Sequence, residues 1–494
     1  MASSRTGLSR EMGLLALVAT GVCSMVGAAI NVIPVMIQRS VPGIGPHVMT
    51  AYALAVVPAA LAAFAYAILA SAMPRAGGSY VYASRSLNPY LGFLASFSQW
   101  FGLSIAIGVV SYLLIPFLRD IASALDLAGT AQMLDSGPIR VGLALGFLWV
   151  FAAVNILGLK AYQRALIPLM FLMFISGAVV IPAGFSYDHA DFAAALALRE
   201  GTVLAAPPAS PWDWSKLLPA TVILFSTFIG FDSIAQAGGE ARNPNKTLPL
   251  AIGITLLGVA GYYMLFTSAV YHAVPWNYVA ERALQEDLTA PGLLGYLLSP
   301  GWTVVIVAGA AIALINDLPA MLLAVSRLMF AWAGDGIFPR FVSRVHPQRR
   351  TPHIAILLSA AMASASILGC HLAGDFFLGV DLLIIAMLVN FLLMCLSVLA
   401  LPRRNPSLAA RVRFVPHRPT QIILGGCGAL ALGALLVIQV VNDLGTPTAG
   451  WYFHSTYLFL LVAAGATIVF VVQWHILKWN GVDVKRLFAE LPPE

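Results

Sequence analysis

Gly27-Ala28-Ala29-Ile30-Asn31 interrupts one long apolar stretch, and Gly230-Phe231-Asp232 interrupts another about two hundred residues later. Backbone inside a bilayer must satisfy its own hydrogen bonds, so an unwound stretch is tolerated only where it lines a cavity or meets a ligand. Two Gly-interrupted hydrophobic segments at corresponding places in two halves point to the binding site of a secondary transporter. The two breaks thus predict a membrane fold and the place within it where a ligand sits.

The surrounding sequence agrees on the membrane. Of 494 residues, 60% are hydrophobic and 10% charged, with a mean hydropathy of +0.87. Soluble domains carry roughly 25% charged residues, which excludes an aqueous globule. Apolar blocks such as 51–70, 248–270 and 382–401 are each long enough to cross roughly 30 Å of hydrocarbon as a helix. Twelve spans are expected, at 12–38, 46–72, 91–118, 139–157, 161–184, 216–239, 247–272, 301–333, 353–372, 376–401, 420–441 and 452–478. The blocks at 12–38 and 301–333 exceed a single crossing, so tilt, kinks or breaks are expected there.

Charge sets the expected orientation. With the N-terminus inside, 21 of the 27 basic residues fall on inner loops and span ends, which places both termini in the cytoplasm of a plasma-membrane protein. The net charge of +6 therefore reflects basic loops against a lipid bilayer and does not imply nucleic acid. The N-terminus is short and polar and the first apolar block outruns a signal h-region, so no cleavable signal is expected. Cys23, Cys370, Cys395 and Cys427 lack metal-ligand spacing and read as packing side chains. No Walker motif, metal-spaced His/Cys cluster or catalytic triad is evident, so neither an enzyme nor a cofactor is expected.

Four motifs then occur in order. They are Met73-Pro74-Arg75-Ala76-Gly77-Gly78-Ser79-Tyr80-Val81-Tyr82, and Gly230-Phe231-Asp232 with Glu240-Ala241-Arg242-Asn243-Pro244. Next come Ser326-Arg327 through Asp335-Gly336-Ile337-Phe338-Pro339-Arg340, and Val345-His346-Pro347 with Thr351-Pro352. With this spacing the chain resembles the amino acid–polyamine–organocation permeases from about Gly13 to Pro416. The resemblance implies an all-α integral membrane protein of twelve helices with the LeuT-type fold. Residues 12–184 would form the first inverted repeat (helices 1–5) and 216–401 the second (helices 6–10). Residues 1–11, 402–419 and 479–494 would be cytoplasmic, 185–215 an extracellular loop or lid, and 420–478 peripheral helices 11 and 12. The acidic residues Glu281, Glu286 and Asp287 predict a second outer loop with short helices at 276–299.

The resemblance also implies a substrate held mid-membrane by the backbone of helices 1 and 6, its carboxylate on amides and its amine on carbonyls. Half-helix ends suit those charges on physical grounds as well. The expected substrate site comprises Ser24, Met25, Gly27, Ala28, Ala29 and Asn31 on helix 1 and Ser104 on helix 3. Helix 6 adds Phe225, Ser226, Phe228, Ile229, Gly230, Phe231 and Asp232, and helix 8 adds Asn316 and Asp317. Here the first break carries Ala29 where similar permeases have a second glycine, and Asn31 where an aromatic is common. Ser226 stands where many of them place an aromatic gate, leaving Phe225 or Phe228 to gate or the pocket to be wider.

Asp232 is an intramembrane carboxylate, read equally as a ligand contact or a structural group beside the break. Asp317, with Asn316, is the candidate for coupling to H+ or Na+ or for binding a substrate amine. A structural acid beside Pro319 is the plainer alternative. The coupling lysine of some relatives would fall near Met173, where no basic residue exists. Arg75, Gly77, Gly78, Tyr80 and Glu240 are the expected inner gate, with Glu240 paired to Arg242 or Lys246 and with Tyr80 and Tyr82 alternatively in an interfacial aromatic belt. The expected function is alternating-access symport or exchange of an amino acid or related amine. A polyamine or organocation transporter, and a membrane sensor or assembly subunit that does not transport, are the rival readings. Oligomeric state is not legible in the sequence.

Overall fold

Long apolar runs with no water to bond must close their hydrogen bonds within each segment, and helices do this. The computed structural model describes residues 8, 10–373, 376–448 and 450–492. Among these residues there is no named strand, only two isolated bridges, Met12 with Ala241 and Ala76 with Ala237. Eleven helices are long and apolar enough to cross a membrane: Gly45–Ala72, Pro89–Ala124, Gly137–Leu157, Leu159–Ser186, Trp214–Gln236, Pro244–Ala273, Pro300–Gly334, His353–Leu372, Phe377–Arg404, Arg418–Gly445 and Ser455–Trp479. They are numbered here spans 2 to 12. Span 1 is the expected first crossing in pieces: Leu14–Cys23, Ala28–Asn31 and Ile33–Ser40.

Span 6 is also discontinuous. Helix Trp214–Phe225 tightens into a 3-10 turn at Ser226–Phe228 and resumes only at Ser233–Gln236. Span 8, by contrast, runs unbroken through Pro319. Its length meets the expectation of an overlong block without a break.

Spans 3, 6, 8 and 10 are largely buried, whereas spans 4, 11 and 12 are largely exposed. Leu430, Val437, Leu460 and Ile468 on the last two spans present apolar side chains outward, as a lipid face requires. Small residues bring the central helices together: a β-carbon on Gly108 or Gly309 would meet Ser366 or Ser176 respectively. Span 3 begins at Asn88, whose side chain accepts from Leu91 N at 2.8 Å, followed by Pro89 at the first helical position.

Two connections differ from expectation. The segment 185–215, expected as a loop, holds a helix, His189–Glu200, which Asp188 starts with a capping box. Tyr80 and Tyr82 lie on helix Gly78–Ser86 and are fully buried, so they form no interfacial belt. The segment at 276–299 contains short helices Trp276–Ala283 and Ala290–Leu294, as expected.

Candidate functional site

The two breaks meet. Gly230 adopts φ +136°, and a β-carbon there would overlap the backbone carbonyl of Ser24. Only glycine combines that conformation with that approach. The unwound residues of span 1 keep their hydrogen bonds through side chains. Tyr263 OH on span 7 donates to Met25 O, and Asn31 Nδ2 donates to Gly27 O at 2.9 Å. Asn31, the polar departure from the family pattern, thus caps a carbonyl that the helix has released.

Gly27 faces span 8, and a β-carbon on it would overlap the Asp317 carboxylate. One residue earlier, Asn316 Nδ2 donates to Cys23 Sγ at 2.7 Å, while its Oδ1 is buried with no hydrogen-bond partner among the described residues. The hydroxyls of Ser24 and Ser104 are buried in the same condition. Buried polar atoms are normally satisfied, and such exceptions call for a ligand, water or ion.

Beside these groups lies a cavity of about 60 Å³. Its wall includes Ser24, Met25, Ala29, Ser226, Ile229 and Asp317, and the rest is apolar, from spans 1, 3, 8 and 10. Asp317 is the single charged residue of that wall among the described residues. At about 10–15 Å³ per water the space holds on the order of five non-hydrogen atoms.

Other expected site residues stand away from the cavity. Phe225, Phe228 and Phe231 are fully buried: Phe225 and Phe231 pack on Phe391, and Phe228 packs on Tyr52 and Tyr263. None of the three lines the cavity, whereas Ser226 does. Ser104 does not reach the cavity either. Ala28 opens the short helix after the first break.

Asp232 also points away. Its Oδ1 accepts from Gly230 N at 2.9 Å and its Oδ2 from Gln99 Nε2. Gln99 Oε1 in turn accepts from Ser79 Oγ at 2.6 Å and from Gln236 Nε2 at 2.9 Å. Ser79 Oγ lies 2.7 Å from Tyr66 OH, which accepts from Asn390 Nδ2 at 2.7 Å. All six residues are fully buried. This network ties spans 2, 3, 6 and 10 to the helix Gly78–Ser86, and both oxygens of Asp232 are spent within it.

The residues expected to form an inner gate pack together close to residues 10–12 and 490–492. Glu240 is paired with Arg327 rather than with Arg242 or Lys246: Nη2 and Nε of Arg327 donate to its two oxygens at 2.6 and 3.1 Å. Both side chains are buried. Arg85 makes a second buried pair with Asp335 at 2.7 Å. Gly77 adopts φ +76° and donates to Gln236 O at 3.2 Å, and a β-carbon on Gly78 would meet Ala235 O. Met12 N donates to Glu240 O and Arg242 N to Met12 O, stitching the start of span 1 to the segment after span 6. Arg75 Nε donates to Pro492 O, and Arg85 Nε to Glu490 O, so the C-terminal segment lies across this gate cluster. Tyr80 lies under the Arg85 guanidinium.

A broken pair of helices, a packed gate cluster and a small central cavity narrow the family. The sequence model described as amino acid permease matches residues 12–464. The chain belongs to this family. Among relatives, human cationic amino acid transporter 4 is 27% identical over 70% of this chain and 53% of its own length. The low-affinity putrescine importer PlaP of Escherichia coli K12 is 26% identical over 79% of this chain and 80% of its own. The branched-chain amino acid permease BcaP of Bacillus subtilis is 25% identical over 85% and 88%. The chain spans about half the length of the human and mouse cationic transporters it matches.

Within this permease fold, several functional partners escaped the sequence reading. Tyr263, Gln99, Gln236 and Asn390 are polar residues inside apolar spans, and that burden was the available signal. Their partners lie more than a hundred residues away, which hydropathy does not encode.

Proposed function

We propose that this chain is a secondary active transporter of a small amino acid or related amine, working by alternating access in the plasma membrane with both termini cytoplasmic. The contact between the two breaks, beside a cavity with one carboxylate, is the observation that carries this reading. The short helices that end and begin at the two breaks suit the opposite charges of a zwitterion, as half-helix ends do in transporters. The Asp317 carboxylate in the cavity wall supports assigning it to the substrate amine or to a coupling ion, H+ or Na+.

The relatives' names include a putrescine importer, cationic amino acid transporters and a branched-chain permease, so amine and amino acid both stay within reach. The apolar wall favours a substrate with a small uncharged side chain. Counterflow of labelled alanine, leucine, arginine and putrescine into proteoliposomes tests the reading. Accumulation of an amino acid that is lost when its carboxylate is removed supports it. Accumulation of putrescine alone favours the organocation alternative, and binding without accumulation favours a sensor.

A further inference from the structure

Helix Val484–Ala489 and the residues that follow it complete the surroundings of a buried gate cation, Arg85, already paired with Asp335. Arg85 Nη1 donates to Asp335 Oδ2 and to Ser84 Oγ. Its Nε donates to Glu490 O at 3.2 Å and its Nη2 to Leu487 O at 3.4 Å. All three guanidinium nitrogens are thus engaged, two of them by this segment. The buried Phe488 ring lies 4.9 Å from the guanidinium carbon, and its centre is 5.9 Å from that of the Trp474 ring on span 12. Two further bonds widen the attachment: Arg75 Nε donates to Pro492 O at 3.0 Å, and Asn405 Nδ2 donates to Ala489 O at 3.0 Å.

These contacts belong to different parts of the fold. Arg75 and Arg85 lie on the gate turn and on helix Gly78–Ser86, Asn405 ends span 10, and Trp474 stands in the last turns of span 12. The segment therefore ties the gate to spans 10 and 12. A buried guanidinium is costly unless its donors are met, and a buried ion pair holds only when its remaining hydrogen-bonding groups are satisfied. Here the carbonyls of Leu487 and Glu490 meet two of the three nitrogens, and the Phe488 ring covers the cation. Undocking the segment would let water reach the Arg85–Asp335 pair and weaken it.

We propose that residues 484–492 act as an autoinhibitory latch: docked, they keep Arg85 dry and paired with Asp335, and so hold the gate cluster shut. Asp335 caps the end of span 8. Because Asn405 and Trp474 anchor the segment, moving helix Gly78–Ser86 away from Asp335 also breaks its bonds to Leu487 and Glu490. The docked segment therefore favours the closed arrangement, and its release favours opening. Three amides that cross the cluster read this equilibrium: Gly77 N to Gln236 O, Met12 N to Glu240 O and Arg242 N to Met12 O. The latch itself needs no substrate; its consequence for transport rests on the transporter reading.

Hydrogen exchange on the full-length protein in lipid nanodiscs tests the latch, comparing the parent with Phe488→Ala, Phe488→Lys and Phe488→Tyr. The first removes the ring, the second sets another cation beside Arg85, and the third keeps the ring. The amides of Leu487 and Glu490, which bond Asp483 O and Arg486 O, report docking. In the Ala and Lys variants these two and the three gate amides are expected to exchange faster, the gate amides by about fivefold, as for the loss of one hydrogen bond. The Tyr variant is expected to match the parent. Faster exchange at Leu487 and Glu490 with unchanged gate amides overturns the latch. Rapid exchange at Leu487 and Glu490 in the parent, or protection kept in both the Ala and Lys variants, overturns the docking. Faster counterflow of the labelled amino acids or putrescine in the Ala variant supports autoinhibition, and unchanged counterflow overturns that consequence alone. Absence of counterflow in the parent overturns the transporter reading, while exchange still decides the latch.

Discussion

The α-carbon of Gly27 lies against the Asp317 carboxylate, with no room for a β-carbon between them. This contact sets the position of the one charged group in the cavity wall. Gly27→Ala must displace Asp317, and because the colliding atoms end a side chain the fold can yield. Transport is expected to fall by about 10- to 100-fold with a small change in melting temperature. Uptake in proteoliposomes, alongside a thermal melt, checks this; a large fall in melting temperature with normal uptake per folded molecule would refute it.

Gly230 predicts the opposite balance. Its φ of +136° and its approach to the Ser24 carbonyl are both backbone constraints, so no side chain can move aside. The strained conformation alone costs a residue with a β-carbon about 1–3 kcal/mol. Gly230→Ala is expected to lower thermal stability clearly, and to abolish transport in whatever fraction folds.

Asp232 and Asp317 separate on kinetics. Asp232→Asn keeps one acceptor in a buried network and is expected to cost about 1–3 kcal/mol of stability while leaving KM nearly unchanged. Asp317→Asn is expected to raise KM or remove the dependence on sodium or pH. If Asp232→Asn altered KM and Asp317→Asn did not, the assignment of roles would be reversed.

The Glu240–Arg327 pair gives a prediction about the gate cluster. Removing one partner leaves the other charge buried, at about 3–5 kcal/mol. Glu240→Gln or Arg327→Gln alone is therefore expected to destabilise strongly, and the double variant less than the sum of the two. Thermal melts of the three proteins form the double-mutant cycle.

On helix His189–Glu200, the amides of Asp191 and Ala190 bond the Asp188 carboxylate and hold its pKa below the usual range. A depressed folded pKa means that the cap's contribution is present above the unfolded pKa and is lost as pH falls through the folded one. Intrinsic-rate-corrected hydrogen exchange is expected to show His189–Glu200 protected near pH 6 and less so below about pH 4. Asp188→Asn should remove most of that pH dependence.

Hydropathy alone located eleven of the twelve expected crossings as long apolar helices among the described residues, because hydrocarbon thickness imposes a length and composition on such helices. The breaks were legible too, through Gly27 and Gly230, since a glycine in a membrane segment marks where backbone must bend or be approached. What each break touches was not. That Gly230 meets Ser24, that Gly27 meets Asp317, and that Glu240 selects Arg327 over its neighbours Arg242 and Lys246 are outcomes of packing between distant spans. The same holds for Asp232: its residue type announced a cost inside the membrane, but only the tertiary structure showed Gln99 and the Gly230 amide meeting it. Sequence periodicity records which solvent a segment faces, whereas the pairing of polar groups depends on three-dimensional proximity that short-range pattern does not carry.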